Sequence, residues 1–125
     1  MDVQPGTICL IKYPFTDQAV AKLRPALVAE ADNPIFLALT DSPAGLAGMN
    51  VNFIQITSSK DPGLYNIVLD TGDPCLGGTG LVPGSTIRCW NINTIHKGLI
   101  ERTLGKVSPA LLSQVQEKLR ARLRL

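Results

Sequence analysis

Residues 50–57, Asn50-Val51-Asn52-Phe53-Ile54-Gln55-Ile56-Thr57, set polar against apolar side chains along most of their length. A repeat near two residues is that of a half-buried β-strand. Working outward, Tyr65–Leu69 and Ser85–Ile95 are again rich in apolar and β-branched residues, and Leu99–Lys106 closes the run. Upstream, Thr7–Tyr13 reads as a strand ended by Pro14, and Phe15–Leu23 as a polar connection. Arg24–Ala29 is a second strand with Pro25 at its start, where a missing amide is tolerated. Residues 35–40, bracketed by Pro34 and Pro43, are expected to add a further strand.

The last segment changes period. Ser108-Pro109 supplies an N-cap followed by proline at the first helical position. Leu111, Leu112, Val115, Leu119 and Leu123 then recur at helical spacing, while Gln114, Lys118, Arg120 and Arg122 fall elsewhere. Many short strands and one terminal helix of residues 108–123 predict a mainly β fold, a small and strongly bent sheet or barrel. No repeat or linker divides residues 1–125, so a single domain is expected.

Composition narrows the function classes. Of 125 residues, 45% are hydrophobic and 18% charged, which excludes a disordered chain. The stretch Thr71–Ile87 is broken by glycines, prolines and Asp73, so it is no membrane helix. Met1–Gly6 lacks the basic head and apolar segment of a signal peptide, and a cytoplasmic location is expected. Cys9, Cys75 and Cys89 are odd in number and widely spaced, which fits buried reduced thiols better than disulfides or zinc. Asp70, Asp73 and Cys75 lack the count and spacing of metal ligands. Residues 101–125 hold six Lys/Arg and two Glu, a balance of +4, against −2 for residues 1–100. Such a basic end suits phosphates or simply a solvated helix face. Leu76-Gly77-Gly78-Thr79-Gly80 does not sit between a strand and a helix as a nucleotide fingerprint must, and reads as a flexible loop.

Three stretches, in order, resemble the PemK/MazF toxin family. They are Gly6–Ile11 with Pro14–Asp17 and Lys22–Val28, then Ile54–Ser59, then Thr79–Leu81 through Ser85–Arg88, Thr94–Ile95 and Leu104–Ser108. The resemblance implies a small SH3-like β-barrel of the PemK/MazF/CcdB type with a C-terminal α-helix. It also implies a homodimer, a cognate antitoxin partner, and endoribonuclease action on single-stranded RNA without metal or other cofactor. Carried over by position, Arg24 and Thr57 match catalytic positions, and Arg88 matches the arginine of an Arg-x-Asp pair on the late strand. An always-charged guanidinium that grips two phosphate oxygens suits that chemistry. Thr16, Lys22, Ser58, Ser59 and Lys60 are expected to touch RNA, and Trp90 to stack on an unpaired base.

The chain departs from that pattern at one place. Arg88-Cys89-Trp90 puts tryptophan where the family's carboxylate would stand, and no other residue of the linear sequence takes over as base. His96 matches no catalytic histidine and reads as a surface residue. Two alternatives follow: a non-cleaving RNA- or antitoxin-binding member of the family, and a gyrase-directed toxin on the CcdB-type barrel. The second needs a helix ending that Arg120–Leu125 does not resemble.

Overall fold

Strand β5, Ser85–His96, is the longest of the described strands in the computed structural model, which describes residues 4–12, 23–29 and 50–124. It pairs on one side with β3 (Asn50–Thr57) and on the other with β4 (Asn66–Leu69). Beyond β3 follow β2 (Leu23–Val28), β1 (Thr7–Lys12) and β6 (Ile100–Lys106), so the order is β4-β5-β3-β2-β1-β6. Every pairing is antiparallel. Helix α1, Pro109–Leu123, completes the fold. The strand expected at 35–40 lies outside the described residues.

Alternation along the strands sorts the apolar residues into two clusters. Ile8, Leu27, Ile54, Ile56, Ile67, Leu69, Ile87 and Cys89 form one with Leu111, Val115 and Leu119 of α1. Cys9, Ile11, Ala26, Val28, Val51, Phe53 and Ile95 form the other. Strand β3 therefore buries both of its faces, Phe53 and Ile54 each fully, rather than the single face its pattern suggested. With a core on either side of this strand, its apolar residues are buried whichever way they point, and Gln55 and Thr57 near its end are only partly covered. The helix starts as expected: Ser108 Oγ accepts the Leu111 N–H at 3.1 Å and Pro109 opens the first turn.

Strand pairing does not close the sheet into the expected barrel: among the described residues β4 and β6 are its two edges. The glycine-rich connection between β4 and β5 is what meets β6. Gly78 carbonyl accepts the Lys106 N–H at 2.9 Å, and a Cβ on Gly105 would overlap the Gly78 and Thr79 backbone. Thr79 is fully buried, and its hydroxyl donates to the Leu76 carbonyl at 2.6 Å and accepts from the Leu81 N–H at 3.2 Å. The segment expected to be a flexible loop is thus a packed turn. Asp73 caps the short 3-10 turn Pro74–Leu76 by accepting the Cys75 N–H at 2.8 Å, so its carboxylate has a structural partner.

All three cysteines are free, with Cys9 and Cys89 buried and Cys75 partly so. Burial pushes the Cys9 thiol up to about 11 and that of Cys89 up to about 12. The unfolded chain releases both protons from about pH 9 upward and the folded chain does not, so stability is present below pH 9 and falls above it. The expected slope is about 1.4 kcal/mol per pH unit for each thiol. Urea midpoints measured between pH 8 and pH 11 should drop, and drop less steeply in a Cys9→Ala variant. At pH 8, iodoacetamide should modify Cys75 well before the other two.

Candidate active site

The face of the sheet opposite α1 carries Ala26 and Val28 on β2 and Val51 and Phe53 on β3. By the two-residue repeat of a strand, Arg24, Gln55 and Thr57 belong to that same face. On β5 the helix-facing residues are Ile87 and Cys89, which turns Thr86 and Arg88 the same way as Gln55. Ala26 pairs with Gln55 and Thr57 with Thr86. Continued by two residues past Ala26, the β2–β3 register sets Arg24 opposite Thr57. The ladder stops short of that point at Pro25, which has no N–H to donate. With strands about 4.8 Å apart and residues about 3.4 Å apart along each, the Cα atoms of Arg24, Thr57 and Arg88 fall within roughly 12 Å. Three stretches far apart in sequence are thereby brought to one place.

A bulge in β5 shapes this place. Ile54 pairs with Ile92 and Ile56 with Ile87, so the single residue Gln55 faces Arg88, Cys89, Trp90 and Asn91. Extra residues on one strand bend it and re-aim its side chains. Here both Arg88 Nη1 (3.1 Å) and Asn91 Nδ2 (2.8 Å) donate to Gln55 Oε1. The odd offset also flips the alternation: Ile87 before the bulge and Ile92 after it both pack on the helix side.

Arg88 has a second partner. Its Nε donates to Asp61 Oδ2 at 2.9 Å, an ion pair with side chains 29% and 38% exposed. A carboxylate therefore does stand beside this arginine, although Trp90 occupies the expected position. It comes from the β3–β4 connection, 27 residues away in sequence. Linear reading missed Asp61 and Gln55 because neither spacing nor composition marks them. Only the bulge and the course of that connection bring them to Arg88.

The remaining expected residues are placed as follows. Thr57 Oγ1 accepts the Ser59 N–H at 3.2 Å, which leaves its own hydroxyl proton free to donate. Ser58 and Ser59 are exposed beside it. The Lys60 ammonium lies 3.2 Å from Asp70 in an exposed pair, a contact of little energetic weight that phosphates can displace. Trp90 is 46% exposed, donates its indole N–H to Asn66 Oδ1 at 2.9 Å, and lies 6.0 Å from the Arg88 guanidinium carbon. Thr16 and Lys22 fall outside the described residues. His96 is at the far end of β5, where Nδ1 accepts the Gly98 N–H at 2.9 Å, so it is a turn cap away from this cluster. Among the described residues no group of three His, Cys, Asp or Glu side chains is arranged to hold a metal ion.

Comparison with known proteins bears on this arrangement. A family model described as the PemK-like, MazF-like toxin of type II toxin–antitoxin systems matches residues 4–123. The chain belongs to the PemK/MazF toxin family. Solved structures agree on the fold. An endoribonuclease in complex with its cognate antitoxin from a Mycobacterial species is 18% identical, covers 99% of this chain and 97% of its own, and gives a TM-score of 0.66. The Mycobacterium tuberculosis toxin MazF-mt6 is 18% identical over 95% of this chain and 97% of its own, at a TM-score of 0.64. A MazE–MazF structure from Deinococcus radiodurans is 19% identical over 98% and 97%, at 0.65. Comparison with curated protein sequences gave no match. Within this PemK/MazF-type toxin, the mainly β fold with a C-terminal helix is the one its sequence predicted. No helix among the described residues is long and apolar enough to cross a membrane.

Proposed function

We propose that this toxin is a metal-independent endoribonuclease that cuts single-stranded RNA and so blocks translation. The observation that carries this reading is the meeting of Arg24, Thr57 and Arg88 on one face of the sheet, beside a partly exposed tryptophan. In the proposed reaction the 2′-oxygen bonds to the adjacent phosphorus and the bond from phosphorus to the 5′-oxygen breaks. A proton leaves the 2′-hydroxyl and one arrives at the 5′-oxygen, giving a 2′,3′-cyclic phosphate and a 5′-hydroxyl. Charge on the phosphorane oxygens would be met by the guanidinium of Arg24, which also donates a proton toward the leaving oxygen, and by that of Arg88. Thr57 would donate its hydroxyl proton to a phosphoryl oxygen. Lys22, Thr16, Ser58, Ser59 and Lys60 would hold neighbouring phosphates and Trp90 an unpaired base. A cognate antitoxin, a homodimer and a cytoplasmic location complete the proposal.

Incubation of the purified protein with a long single-stranded RNA in EDTA tests it. Discrete cuts with 2′,3′-cyclic phosphate and 5′-hydroxyl ends, lost in Arg24→Ala, are the expected result. Intact RNA that is nevertheless bound would favour the non-cleaving reading, to which Trp90 in the carboxylate position lends its only support. Family membership with PemK and MazF favours RNA over gyrase as the target.

A further inference from the structure

Asp61 is held in place from behind by side chains of two strands, β5 and β4. Its N–H donates to Thr86 Oγ1 at 3.0 Å, and that fully buried threonine donates in turn to the Ser59 carbonyl at 3.0 Å. Its carbonyl accepts from Asn66 Nδ2 at 2.9 Å, while Asn66 Oδ1 accepts the Trp90 indole N–H at 2.9 Å. So fixed, Oδ2 takes the Nε–H of Arg88 while Gln55 takes one Nη1–H. A guanidinium has five N–H groups, and these two contacts leave three for another ligand. A partly exposed ion pair adds little to stability, and a carboxylate next to a phosphate site weakens the attraction for RNA. What the contact supplies is a fixed direction for the free edge of Arg88.

We propose that Asp61 is the positioning residue of Arg88, acting on RNA cleavage only through that guanidinium, with Trp90 and Asn66 bracing the connection that carries it. This rests on the reading of Arg88 as a group that meets the scissile phosphate. Misplacing such a group by an ångström lowers rates on the order of 100-fold.

The test compares Asp61→Ala, Asp61→Asn, Arg88→Ala and the Asp61→Ala/Arg88→Ala double variant in single-turnover cleavage of one defined RNA. Nitrogen-15 NMR follows the Arg88 Nε–H alongside. Asp61→Ala should lower the single-turnover rate constant by roughly 10- to 100-fold without raising the half-saturating concentration. Asp61→Asn, which keeps an acceptor oxygen, should recover most of that loss. In the Arg88→Ala background Asp61→Ala should cost nothing further, the sign of two residues acting as one unit. The Nε–H should exchange slowly with solvent in the native protein and in Asp61→Asn, and fast in Asp61→Ala. Wild-type cleavage by Asp61→Ala beside a slow Arg88→Ala would sink the proposal alone. So would an Asp61→Asn as slow as Asp61→Ala, since the carboxylate would then be moving a proton itself. Wild-type cleavage by Arg88→Ala, or no cleavage by the native protein, would overturn the reading of the site and the proposal with it.

Discussion

Arg24→Ala is expected to lower the rate of RNA cleavage by about 10²- to 10³-fold, the usual loss when one preorganised charge at a developing oxyanion is removed. The fold should survive it. Among the described residues no carboxylate is ion-paired with Arg24, and the residue sits near the start of β2, one position before Pro25 ends the ladder with β3. The apolar residues that hold β2, Ala26, Leu27 and Val28, are untouched by the change. Arg24→Lys should lie between, because an ammonium keeps the charge and loses the two-pronged grip on phosphate. A single-turnover assay with a short fluorogenic RNA, read beside circular dichroism, checks both halves. Unchanged dichroism with an unchanged rate would remove Arg24 from the site.

Gly105→Ala should be the most damaging small substitution away from that face. A Cβ there would run into the carbonyl of Gly78 and the carbonyl carbon of Thr79, both backbone atoms that cannot swing aside. The same approach is made from the other side by Gly80, whose φ of +73° already favours glycine and whose Cβ would strike the Leu104 carbonyl. Overpacking a side chain costs about 1–3 kcal/mol where neighbours can yield. With backbone on both sides the upper end is expected, a fall in Tm on the order of 10 °C for a chain of this size. Gly72→Ala is the matching control for Gly80→Ala. Gly72 also has positive φ, +86°, but nothing lies within 4 Å of its missing Cβ. Its variant should therefore show backbone strain alone, about 1–2 kcal/mol. Thermal melts of the three variants decide it: a Gly80→Ala loss no larger than that of Gly72→Ala, or an unchanged melt for Gly105→Ala, would mean that the contact between the glycine-rich turn and β6 is not a tight one.

The two substitutions mark how differently fold and site are written in the chain. Strands β1, β3, β5 and β6 and helix α1 were legible to within a residue or two, because each depends on near neighbours: side-chain period, a proline that ends or opens an element, the Ser108 cap. Arg24, Thr57 and Arg88 were legible as residues to watch only through likeness to a family. Nothing local separates Arg24 from an ordinary arginine at a strand start. The glycine-rich segment was misread as flexible because glycines permit both mobility and close approach, and only the position of β6 selects the second. The burial of both faces of β3 escaped for a related reason: the same alternation suits one covered face or two.

By itself, the order of side chains determined the element types, the cap and polarity of the helix, and the free, unpaired state expected of three thiols. These follow from interactions within a turn or a strand. Tertiary structure alone decided which carboxylate stands beside Arg88. That choice depends on a register shift in β5 opposite Gln55 and on hydrogen bonds from Thr86 and Asn66 that place Asp61. Contacts between residues 27 apart arise from how strands pair, and pairing register is a property of the assembled sheet and not of either strand alone.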